Sequence, residues 1–125
     1  MEQLEAKPGR KICEAMRGLV EEAQHEIGEQ DGKGPIMDLV IVAGMQRIEH
    51  YEIAAYRTSI AFAQAVGENE VADLLSETLE EEKQTDLKLT EVTQKAIMPE
   101  ALAGEEEEGS GERGGGRSGS RRKAA

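Results

Sequence analysis

Apolar side chains recur at helical spacing through most of this chain. Between residues 11 and 27 (KICEAMRGLVEEAQHEI), Ile12, Met16, Leu19, Val20, Ala23 and Ile27 share one face of a short amphipathic helix, and Gly28 stands where a helix stop belongs. Residues 28–34 (GEQDGKG) form a loop. Pro35 then suits the first position of a second helix, where its missing N–H leaves no hydrogen bond unmade. From 35 to 66 the only Gly is Gly44 and no second Pro intervenes, which predicts a helix of about 45 Å. Gly67, Glu68 and Asn69 break it, and a third helix over residues 70–96 ends ahead of Pro99. Two long helices joined by so tight a turn lie antiparallel. The expected fold class is therefore all-α: a long-helix hairpin plus one short N-terminal helix.

After Pro99 the text EALAGEEEEGSGERGGGRSGSRRKAA is of low complexity and carries no apolar periodicity, so residues 99–125 are expected to be a disordered tail. The folding part is then residues 1–98, one domain at most.

Two acids sit on the apolar lines of the hairpin. Advancing 100° per residue from Glu49 puts Val42, Met45, Ile53, Tyr56, Ile60 and Ala63 within about 40° of it, with Glu52 at about 60° on the stripe's edge. The same construction from Glu82 puts Val71, Leu75, Thr78, Leu89 and Thr93 within about 40°, with Asp86 at about 40° one turn further on. Glu80 points away to solvent. The turn at Gly67 lies at similar sequence distance from Glu49 and Glu82, so the two carboxylates come to the same height and face each other. Burying such a pair costs several kcal/mol unless the acids are protonated, paired with bases or bound to cations. Arg47, Arg57 and Lys83 all point off this line. A metal is the remaining partner, and ligation by oxygen suits iron or manganese better than copper. His50 lies about 100° round from Glu49, and it and Tyr56 are candidates to support a ligand rather than to be one. The competing account is a hairpin that dimerises with these acids at a wet seam and no metal.

The net charge of -11 belongs to the folding part, because from Gly104 onward five Glu balance five Lys and Arg. An acidic body with no Trp, one Phe and two Tyr argues against nucleic acid as partner. No apolar run of membrane-spanning length and no secretory pattern is seen, so a cytoplasmic location is expected. The one cysteine, Cys13, has no internal disulfide partner and is expected to be a small half-buried hydrophobe in the first helix. No Gly-rich phosphate loop or nucleophile set is present, and no catalytic residue is assigned.

The string QRIEHYEIAAY at residues 46–56, LSETLEEEKQTDLKL at 75–89 and CEAMRGL at 13–19 resemble the YciE/YciF family, also known as domain of unknown function 892. That family is similar in fold to ferritin and rubrerythrin, four-helix bundles in which two helix pairs supply carboxylates, often with a Glu-x-x-His motif, to a di-metal centre. The resemblance makes Glu49 and Glu52 ligands from one helix and Glu82 the ligand from the next, in a stress-associated protein. The position three residues after Glu82 is Thr85 and not His, which leaves Asp86 as the nearby substitute. Family members begin with two further long helices. The resemblance thus implies half a bundle, completed by a second copy in a homodimer or by a partner chain, or else a truncated family member without a complete site.

Overall fold

The computed structural model describes residues 4–112, with side chains through residue 105. The order along the chain is α1 (Glu14–Glu29), α2 (Pro35–Ala65), α3 (Asn69–Val92), a π-helical turn (Thr93–Ile97) and α4 (Met98–Glu112). No strand occurs among the described residues.

α1 starts three residues later than the periodicity suggests. Cys13 is extended and acts as its N-cap, leaving Ile12 outside the helix and 56% exposed. At the other end Gly28 stays helical, and Gln30 closes the helix by donating its N–H to Ile27 O. The glycines that reverse the chain are Gly32 and Gly34, both at positive φ, where a side chain would be strained. α2 begins as expected, with Pro35 in its first turn and the Asp38 N–H bonded to Gly34 O.

The α2–α3 turn is a Schellman motif. Gly67 at φ 82° donates to Gln64 O at 3.2 Å, and Glu68 donates to Ala63 O at 2.9 Å. The chain reverses within three residues, so α3 packs antiparallel along α2; Val42, Ile53 and Ala63 of α2 and Ala72 and Leu79 of α3 are buried. Gly44 explains how α1 approaches α2. A Cβ there would lie 2.9 Å from Ala23 Cβ, so only glycine lets the helices come this close. α1 and α3 both pack on α2, and no α1–α3 packing of comparable extent exists among the described residues.

The helical text runs further than its composition suggests. Pro99 lacks the N–H for an i−4 bond, and its ring would crowd the carbonyl of Lys95. The chain widens into a π turn just before it, with the Met98 N–H reaching Thr93 O, five residues back. α4 then continues past the expected start of the tail; Ile97 of the π turn and Ala101 of α4 are buried, and both segments pack on α2. The rest of the expected tail, residues 113–125, lies outside the described residues.

Candidate metal centre

Glu49, Glu52 and Glu82 are brought together as the helical phase requires. Each offers a carboxylate oxygen, and the three oxygens lie within 4.8 Å of one another. Glu49 and Glu52 are three apart and neighbours on α2, while the tight turn sets Glu82 of α3 opposite them. All three side chains are half-buried. Glu49 Oε2 is buried and has no hydrogen-bond partner.

The electrostatics record the crowding. Glu82 is pushed up to about 6, first by the hydrogen-bonding approach of the Glu49 carboxyl, then by loss of water and by Glu49's charge. Glu52 is raised by burial first and by the charge of Glu82 second. Tyr56 is half-buried beside the cluster. Burial, followed by the charges of Glu52 and Glu82, holds its proton more firmly, but its hydroxyl makes no hydrogen bond among the described residues.

Among the described residues no base relieves the trio. Arg47 turns to α1, where it pairs with Glu26 and lies 3.5 Å from Glu22, and Lys83 pairs at 3.7 Å with the solvated Glu80. Arg57 makes no ion pair among the described residues. Three carboxylates with an orphaned oxygen, and no paired cation among the described residues, form a donor set that fits a hard or borderline metal.

Asp86 is placed differently from the other three. It lies one turn along α3 and is engaged by α2: Gln46 Nε2 donates to Asp86 Oδ1 at 3.3 Å and to Thr90 Oγ1 at 2.9 Å, and His50 Nε2 sits 3.1 Å from the same Oδ1. Sequence reasoning missed Gln46 and Thr90. Their signal was present, since Gln46 falls about 60° from Glu49, on the flank that faces α3. His50, placed off the site's axis by the same geometry, is indeed off it and partners Asp86.

Cys13 differs from expectation. It is exposed, because it caps α1 rather than lying within it, and its Sγ is 3.2 Å from the Tyr51 hydroxyl. That hydrogen bond, helped by the backbone N–H of Met16, lowers the thiol's pKa. No helix among the described residues is long and apolar enough to cross a membrane.

Residues 1–102 match the family described as domain of unknown function (DUF892). The chain is 48% identical over 83 residues to Protein YciF of Escherichia coli K12, covering 66% of this chain and 49% of that protein. Its backbone matches the crystal structure of the E. coli stress protein YciF with a TM-score of 0.65 at 47% identity, over 70% of this chain and 54% of that one. It also matches YcfI from Rhodopseudomonas palustris with a TM-score of 0.67 at 40% identity, over 71% and 56% of the two chains. The chain thus spans about half the length of the relatives it matches.

Proposed function

The chain belongs to the DUF892 family, whose YciF member has a ferritin-like helical fold, and from that premise we propose that it is a stress-associated protein that binds iron or manganese through Glu49, Glu52 and Glu82. The observation that carries this is the orphaned, buried Glu49 Oε2 inside a trio of carboxylates that no base approaches among the described residues. An anionic oxygen shut off from water and from donors is stabilised most directly by a cation. Asp86 stands outside the trio as a clamp between α2 and α3, with His50 and Gln46 on it, and keeps Glu82 in register with Glu49. The trio is half of a di-metal donor set, and a second helical pair supplies the rest. When bound, such a metal would supply Lewis acidity or a redox couple.

Thermal melting with and without added Mn2+ or Fe2+ tests the assignment. A ligand at a hundred times its Kd adds about 2.7 kcal/mol to the folded state, which raises the midpoint by roughly 10–20 °C in a domain of this size. The wild type is expected to show that rise, and Glu49→Gln and Glu82→Gln are expected to lose it. A wild type indifferent to both ions defeats the proposal.

A second account has one observation in its favour: YcfI is provisionally described as a structural protein. On that account the helices serve to pair and the acids stay protonated or wet, so neutralising them leaves behaviour with metal unchanged.

A further inference from the structure

α2 and α3 bring together a second cluster of charged side chains, which the carboxylate trio leaves unused. His50, Ile53 and Arg57 of α2 and Lys83, Asp86 and Leu87 of α3 line a cleft of about 300 Å³ between the two helices. Helical phase separates it from the trio. Around α2, Ile53, Arg57 and His50 lie about 40°, 80° and 100° from Glu49 in one direction, whereas Glu52 lies about 60° away in the other. None of the three glutamates lines the cleft. Within it, His50 and Asp86 answer each other: His50 Nε2 is 3.1 Å from Asp86 Oδ1, and Gln46 donates to the same oxygen at 3.3 Å. The cations are less engaged. Lys83 reaches the exposed Glu80 at 3.7 Å, a surface pair of little strength, and Arg57 makes no ion pair among the described residues. In a chain of net charge -11, two such cations in one cleft call for an explanation.

We propose that this cleft binds a small organic monocarboxylate, with the carboxylate on Arg57 and Lys83 and a short apolar stem against Ile53 and Leu87. The charge of the lining selects the anion. Arg57 and Lys83 against Asp86, with His50 neutral, leave one net positive charge, which matches a monoanion and disfavours a dianion such as phosphate. The geometry of the donors agrees with that choice. A guanidinium grips a carboxylate through two parallel N–H···O bonds, and an ammonium adds a point charge beside it. The rest of the lining is apolar: Ile53 is 7% exposed and Leu87 is 57% exposed, so a hydrocarbon stem would cover a leucine that water now wets. A cleft of this volume is at the small end of organic-ligand sites, which limits the stem to a few carbons. Because Arg57 comes from α2 and Lys83 from α3, the occupant ties the two helices together. The proposal stands apart from the metal reading, since it uses no residue of the trio.

Titration of butyrate into the isotope-labelled full chain, metal-free in chelator and followed by amide chemical shifts, tests this. A saturable shift centred on the cleft residues of α2 and α3 is expected, with a Kd on the order of 1–10 mM. Arg57 is exposed, so Arg57→Gln leaves the fold intact, and it is expected to weaken binding about tenfold. Lys83→Gln is expected to weaken it about threefold. Lys95→Gln removes the same charge from an exposed position outside the cleft and is expected to change binding less than about twofold. Acetate, which lacks the stem, and inorganic phosphate at matched ionic strength are both expected to bind more weakly than butyrate. A butyrate shift that never saturates, or that centres on the trio, overturns the proposal. So does a Lys95→Gln effect as large as that of Arg57→Gln. Phosphate binding as tightly as butyrate overturns the monoanion, and acetate doing so overturns the apolar stem. Because chelator is present throughout, a chain that fails to bind Mn2+ can still bind butyrate, and the two readings fail separately.

Discussion

Glu82 keeps its proton to about pH 6, well above the ordinary range for glutamate, because Glu49 approaches it and water does not. A group whose folded pKa is raised binds more protons folded than unfolded between its ordinary value and about 6, so metal-free stability falls as pH rises through that window. The effect is roughly 1 kcal/mol once the partial exposure of the side chain is allowed for. Glu82→Gln should therefore stabilise the metal-free chain by about that amount at neutral pH and flatten the fall, as read by denaturant melts across the window. If Glu82→Gln melts like the wild type at every pH, the carboxyls are not in contact. Metal reverses the trend, because a cation must displace the protons the trio holds, so its affinity rises with pH through the same window.

Between elements, two contacts set the geometry of the site. Gly44 lets α1 reach α2. Gly44→Ala gains about 1 kcal/mol in helix propensity but forces a methyl against Ala23, and the overpacking of about 1–3 kcal/mol should win. A net loss of about 1 kcal/mol in a urea melt is expected, and a gain would show that α1 has room to move. Asp86 ties α2 to α3, so Asp86→Ala removes an acceptor from Gln46, which keeps only its Thr90 bond, and a partner from His50, and should cost about 1 kcal/mol, with Asp86→Asn costing less. The elements themselves were largely legible in the sequence. Pro35, Gly67 and the apolar period marked both ends of α2 and the start of α3 nearly to the residue, because local chemistry decides those boundaries. Where a boundary depends on tertiary contact or backbone accommodation, the text was silent. Cys13 leaves the helix to cap it and meet Tyr51, and the π turn carries the chain through Pro99 into α4. That Glu49, Glu52 and Glu82 come together was legible because phase and turn length fix it, as was Asp86 one turn along, but phase alone cannot show that Gln46 and His50 approach Asp86.

Across the whole molecule, the described helices carry an acidic trio and the chain a net charge of -11. Self-repulsion of that charge should be eased by screening, so the metal-free chain is expected to melt at higher temperature as ionic strength rises. A melting point that falls with salt would mean that ion pairs, and not repulsion, dominate. Cations held by the trio should make a larger and specific contribution than screening. The direct measurement is elemental analysis of the full chain purified without chelator and dialysed against Mn2+, beside Glu49→Gln treated alike. The account predicts iron or manganese retained in the wild type and lost in the variant, and a wild type carrying neither would contradict it.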